Sequence, residues 1–139
     1  MDVKMTAEEL TAFLGRVFPQ IASDFVIEEV APRHVRVRLC VEDRHLRPGG
    51  TVSGPSVFAL ADVAVYIGLL AMIGPAELSV TTNCSIDFMR KPAARVDLIA
   101  ECRMLKIGRS LAIGDVLIFS EGMTEPVARA TLTYSIPPK

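Results

Sequence analysis

The sequence predicts an α+β fold in which a curved antiparallel sheet of about six strands wraps one long apolar helix. Two observations carry that prediction. From Pro55 to Ile73 the run PSVFALADVAVYIGLLAMI is apolar on every side except at Asp62, and a helix with no polar face needs cover around most of its circumference. Four other segments alternate apolar and polar residues with a period of two and two more, 24–31 and 111–119, read as strands, with short turns between most of them, the pattern of an antiparallel sheet.

The elements follow in order. Residues 6–18 predict a first helix: Thr6 and Glu9 have capping-box spacing, Leu10, Phe13, Leu14 and Val17 form one apolar stripe, and Pro19 ends it. Residues 24–31 predict a short strand, and Pro32-Arg33 turns the chain. Val35, Val37, Leu39 and Val41 then alternate with Arg36, Arg38 and Cys40. Residues 43–54 read as a loop punctuated by Pro48, Gly49 and Gly50. Gly54-Pro55 suits the start of the apolar helix, because proline at the first helical position loses no needed N–H. Gly74-Pro75 suits its end.

Four strands are predicted from there to the C-terminus. In the first, Leu78, Val80, Thr82, Cys84, Ile86 and Phe88 share one face and Ser79, Thr81, Asn83, Ser85 and Asp87 the other. In the second, Val96, Leu98, Ala100, Cys102 and Met104 share a face. Residues 111–119 form the third, and Ala128, Ala130, Leu132, Tyr134 and Ile136 the apolar face of the fourth. Residues 1–139 are expected to form a single domain.

Composition removes several classes of function. Fifteen basic against 16 acidic residues give a net charge of −1, with no cationic field for nucleic acid, and no Trp and only two Tyr leave little for base stacking. Cys40, Cys84 and Cys102 are odd in number and widely spaced, and His34 and His45 have no ligand spacing. These predict buried free thiols in a reducing cytoplasm, with neither a disulfide framework nor a metal. The N-terminus, with Asp2, Glu8 and Glu9, lacks the layout of a signal peptide. The 55–73 run is long enough to cross a bilayer. Asp62 at its middle would cost roughly 2.5–3.5 kcal/mol there, so a buried core helix and no membrane contact are expected.

Asp62 is the residue that needs an explanation. A carboxylate on an apolar helix is costly to bury unless it is paired, protonated or used. It is either a structural aspartate held by donors or a functional acid, and the residues alone leave both open.

The element order, the segment SGPSVFALADVA at 53–64 and the segment IDFMRKPA at 86–93 resemble the PaaI-like hotdog-fold acyl-CoA thioesterases, over about Asp24 to Ile136. The sharpest point is Gly54 followed eight residues later by Asp62. Where that family usually has His-Gly-Gly, this chain has Ser53-Gly54-Pro55, and Arg47 stands roughly where the family often has asparagine.

The resemblance implies a hotdog domain that hydrolyses an acyl-CoA thioester to an acid and free coenzyme A, without a cofactor. Asp62 would be general base or nucleophile. The Gly54 helix N-terminus would receive the oxyanion, with Gly54 and Ser56 as N–H donors because Pro55 has none. Thr81 would orient the attacking water. Substrate contacts would come from Ser53, Ser56 and Arg47, and coenzyme A phosphates from Arg90, Lys91, Lys106 and Arg109.

Gly54 and Asp62 lie about 12 Å apart along one helix and roughly 80° apart around it. One helix therefore cannot bring both to a single thioester. A homodimer sharing its sites, paired into a homotetramer as a dimer of dimers, is expected. The alternative function is a non-catalytic acyl-CoA or acyl-carrier binding protein, and a third is a structural oligomerisation module.

Overall fold

A computed structural model describes residues 1–138; Lys139, the last residue of the expected domain, lies outside them. Helix α1 (Ala7–Val17) is capped at Thr6, whose hydroxyl accepts from Glu9 N–H while Glu9 Oε1 accepts from Thr6 N–H. Its stripe buries Leu10, Phe13 and Leu14; Val17 stays exposed at the rim of a cleft instead of completing the stripe. Pro19 ends α1 and opens a one-turn helix, α2 (Pro19–Ala22), which the sequence reading did not anticipate. A 3-10 turn (Asp43–His45) is a second short addition, in the predicted loop.

Strands β1 (Phe25–Ala31), β2 (His34–Leu39), β3 (Val80–Phe88), β4 (Leu98–Ile107), β5 (Leu111–Ser120) and β6 (Ala128–Ser135) form one antiparallel sheet in the order β1-β2-β4-β5-β6-β3. The six strands, and the order of helix, two strands, long helix and four strands, match the prediction. So do the inward faces: Val35, Val37 and Leu39 on β2, Leu98, Ala100, Cys102 and Met104 on β4, and Ala128, Ala130, Leu132 and Tyr134 on β6 are buried. On the outer face Arg38 joins Glu28, Asp97 and Glu121, tying β1 and β2 to the loops flanking β4 and β5. All three cysteines are free, and burial pushes the Cys102 thiol up to about 12, an inert core group.

Helix α3 (Gly54–Ile73) lies in the sheet's concave face, with 13 of its 20 residues buried. It is long and apolar enough to cross a membrane, and here the sheet covers it. Ser53 caps its start, and Gly74, at φ 91°, donates its N–H to Leu70 O at 2.9 Å and turns the chain out. Lys4 and Met5 N–H close on Ala71 O in the last turn, so the N-terminus seals that end of the helix.

Gly114 on β5 lets the sheet approach α3 closely. A Cβ there would fall 2.9 Å from Val65 Cγ1 and 3.1 Å from Met104 Sδ. Gly15 in α1 has nothing within 4 Å of the same position. Gly114→Ala should therefore cost about 1–3 kcal/mol through overpacking. Gly15→Ala should gain up to about 1 kcal/mol from helix propensity. Thermal melts of the two variants should move in opposite directions; equal melting temperatures would contradict the packing described.

One strand departs from the predicted pattern. The β3–β6 register slips between Thr81 and Asn83, so Thr82 is an inserted residue. Thr81 therefore lies on the same side as Cys84 and Ile86, and not on the opposite face as strict alternation had it. Val80 and Phe88, expected inward, are exposed. Strand β3 is also a sheet edge, unpaired along one side.

Candidate active site

The site has to be built around Asp62, on the third turn of α3. Its carboxylate is half-buried and faces β6 and the bulged end of β3. Thr81 and Tyr134, paired across the two strands, both reach it. Tyr134 OH donates to Asp62 Oδ1 at 2.7 Å and lies 3.0 Å from Asp62 O, and Thr81 Oγ1 also donates to Oδ1. Among the described residues nothing donates to Oδ2. Burial and the Asp62 charge push the Tyr134 hydroxyl well above the ordinary tyrosine range, so it is a donor at any working pH. The same two causes raise the Cys84 thiol.

This carboxylate opens into a cavity of about 360 Å³ lined by Phe18, Gln20, Tyr66, Glu77, Ser79 and Val80 as well as Thr81 and Tyr134. The unanticipated helix α2 thus supplies one wall. Tyr66 packs on Tyr134 with ring centroids 6.1 Å apart, donates its hydroxyl to Glu77 O at 3.0 Å and meets Phe18 edge-on. Among the described residues no Lys, Arg or His lines the cavity.

Tyr134 is the residue of this candidate site that the sequence did not single out. Alternation had already turned it inward, and a buried tyrosine needs a partner for its hydroxyl. A lone aspartate on the helix beneath was the available acceptor.

Gly54 lies in a different cavity, about 620 Å³, together with Arg47, Phe88, Met89, Arg90 and Lys91. Of the N–H donors expected at the helix start, Ser56 is spent: its N–H reaches Ser53 Oγ at 3.4 Å. Ser53 and Ser56, expected to contact substrate, lie at the helix start, where Ser53 caps it and neither lines the two cavities of the single chain. Val57 N–H makes the first helical bond, to Ser53 O at 3.0 Å, and Pro55 has none to give. Gly54 N–H is left without an acceptor among the described residues, at the positive end of a 20-residue helix.

The expected phosphate cations are dispersed. Arg47 and Lys91 are exposed at the Gly54 cavity, and Arg90 there is engaged with Glu125 Oε2 at 2.8 Å and Pro126 O at 2.9 Å. Arg109 lies elsewhere, in a largely apolar cleft of about 900 Å³ beside Glu77, Leu78 and Ile107. Lys106 is exposed on β4 and lines none of these cavities. One protomer thus carries an anchored carboxylate in one cavity and an unpaired Gly54 N–H in another, with no residue common to both cavities.

Comparison with known proteins agrees with that reading of the fold. The family model described as the Thioesterase superfamily matches residues 49–127, and the chain belongs to that family. A candidate thioesterase from a Silicibacter species is 57% identical, over 99% of this chain and 96% of that one, with a TM-score of 0.93. The Asn-to-Asp variant of the phenylacetic acid degradation protein PaaI from Thermus thermophilus is 28% identical, over 86% of this chain and 99% of that one, at 0.73. A Streptococcus mutans protein bound to acetyl-CoA shares the fold at 24% identity, over 83% and 90% of the two chains, also at 0.73. No curated protein matches the chain. The six-stranded sheet around a buried helix is the hotdog fold of these thioesterases, as the resemblance implied.

Proposed function

We propose that this protein, as one hotdog domain, hydrolyses acyl-CoA thioesters to a carboxylic acid and free coenzyme A, at sites shared between two copies of the chain. The observation that carries the reading is the Asp62 carboxylate, held through Oδ1 by two hydroxyls and open at Oδ2, in a chain of the thioesterase superfamily. Acting as base, Oδ2 removes a proton from water as the water oxygen bonds to the thioester carbon. Acting as nucleophile, it bonds to that carbon itself. Either way the carbonyl oxygen gathers charge and the C–S bond breaks; on the base route the thiolate leaves with the proton that Asp62 took from water, and on the nucleophile route it takes a proton from the water that hydrolyses the Asp62–acyl anhydride, which releases the acid and restores the carboxylate. Gly54 N–H is the donor suited to the oxygen.

Strand β3 explains how the half-sites would meet. Its Val80–Thr81 end borders the Asp62 cavity, and Phe88 and Met89 at its other end border the Gly54 cavity. Its free edge is flanked by exposed Leu78, Val80, Phe88 and Met89, an unusual apolar edge for a lone subunit. Antiparallel pairing of two such edges about a two-fold axis brings the Val80 end of one copy beside the Phe88 end of the other. Each Asp62 cavity then faces the partner's Gly54 cavity, and two equivalent sites result. Pairing of these dimers would complete a homotetramer. The free thiols fit a cytoplasmic protein.

We assign Arg47 and Lys91 at the Gly54 cavity of one copy, and Arg109 beside Glu77 with its strand neighbour Lys106 in the other, to the phosphates of coenzyme A. Arg47→Ala with Lys91→Ala should raise KM for acyl-CoA about tenfold, the worth of one charge-assisted contact. Short pantetheine thioesters should be unaffected, and added salt should shrink the loss. Lys106→Ala with Arg109→Ala should behave alike. Equal effects on both substrate types would assign the residues to structure.

A second reading follows from the departures that the family resemblance implies. Ser53 stands where the family usually has histidine, Arg47 where it often has asparagine, and the Ser53 hydroxyl is consumed in capping. A protein that kept the pocket and lost the chemistry would bind acyl-CoA only. A panel of acyl-CoA thioesters with free-thiol detection separates the two. Turnover supports the hydrolase; a coenzyme A-dependent rise in melting temperature without turnover supports the binding protein.

A further inference from the structure

We propose that Tyr134 is a positioning residue for Asp62, fixing Oδ1 as the held oxygen and leaving Oδ2 as the one that reacts; this rests on the thioesterase reading above. A carboxylate oxygen offers two lone pairs. Tyr134 OH, at 2.7 Å, and Thr81 Oγ1 occupy both on Oδ1. Each hydroxyl has one proton to give, and Oδ1 is the carboxylate oxygen within reach of both, at a shorter distance from Tyr134 OH than Asp62 O. Asp62 Oδ2, in the same carboxylate, receives none among the described residues. The asymmetry is built by the β3 bulge, which turns Thr81 to the side from which Tyr134 already points.

The anchor is rigid on its far side. Tyr134 is 3% exposed, its ring is backed by Tyr66, and Tyr66 is tied to Glu77 O. The hydroxyls matter because, among the described residues of one copy, no cation holds the carboxylate. The groups facing it are Tyr66 of α3, Glu77 and Ser79 of the following loop, Cys84 and Thr81 of β3, Gln20 of α2 and Tyr134 of β6. None of these carries positive charge. A neutral, directional pair of donors thus does the work that a salt bridge would otherwise do, without neutralising the base.

Tyr134→Phe deletes one oxygen and keeps the ring. It should lower kcat about 10–100-fold, the scale of a misplaced reacting group, with KM and melting temperature little changed. Introduced into Asp62→Asn, it should change residual turnover less than about twofold, because a residue acting through Asp62 has nothing left to act on. Thr81→Val should enter the same cycle, and Thr81→Ser, which keeps the hydroxyl, should stay near wild type. If the wild-type protein turns over no thioester, the thioesterase reading itself fails; if Asp62→Asn turns over like wild type, Asp62 leaves the mechanism and the positioning role is overturned with it. If Asp62→Asn is dead and Tyr134→Phe turns over like wild type, or if the losses multiply in the double variant, the reading stands and the positioning role is overturned. Should Tyr134→Phe not fold, Thr81→Val against Thr81→Ser decides it: equal turnover in the two overturns the proposal.

Discussion

Asp62→Asn should lower kcat by at least about 10²–10⁴-fold, the usual worth of a positioned general base, while coenzyme A binding changes little. The substitution is nearly isosteric, so the packing of α3 against the sheet survives. The amide oxygen of the new side chain would still accept from Thr81 and Tyr134 and so preserve the geometry of the pocket. What disappears is the charge at the second position, which in the native protein is Oδ2. Loss of turnover with intact folding and ligand binding would place Asp62 in the chemistry. A folded variant within a few-fold of wild-type turnover would remove it and require another group.

Gly54→Pro should lower kcat by about 10²–10³-fold, the cost of losing one oxyanion donor. Proline removes the N–H and little else at this position. It is favoured at the first turn of a helix, and Ser53 before it already has the extended ψ of 155° that a residue preceding proline requires. A Cβ at residue 54 would lie 3.7 Å from the Phe88 ring, an ordinary contact. Steady-state kinetics with acyl-CoA, alongside a melt showing the helix intact, checks the expectation. Unchanged kcat would exclude Gly54 N–H as the oxyanion donor.

Much of this architecture was legible in the sequence because one physical demand dominates it. A 20-residue helix with no polar stripe can be satisfied only by wrapping, and strands such as Val35-Val37-Leu39 and Leu98-Ala100-Cys102-Met104 declare their inner faces by alternation alone. The same rule failed on β3. Alternation assumes an unbroken register, and the extra residue at Thr82 reverses the facing from Thr81 to Asn83; no residue in Val80–Phe88 announces a bulge. Because β3 is an edge, exposed Val80 and Phe88 looked like core residues. Such residues are apolar for a partner as readily as for the interior.

The site was legible in part. Asp62 stood out by its cost in an apolar run, and Gly54 by its place before Pro55. Within one protomer the two lie in separate cavities, as their spacing along the helix requires. Tyr134 was hidden by its chemistry: in a strand it reads as an apolar residue, and its hydroxyl becomes meaningful only once β6 is seen beside α3. Ser53 and Ser56 read as substrate contacts by their position in the motif, and the structure adds that the helix start engages both in its own cap. The short helix α2 went unread because Pro19, which ends α1, serves equally as the first residue of a new turn.

The shared site is most directly tested by mixing Asp62→Asn and Gly54→Pro proteins, each nearly inactive, unfolding them together and refolding. Random pairing makes about half the dimers mixed. Each mixed dimer has one site carrying both substitutions and one carrying neither, so turnover should recover to about a quarter of wild type. Each variant refolded alone should remain inactive. A mixture no more active than its components would contradict a site built from Gly54 of one copy and Asp62 of another.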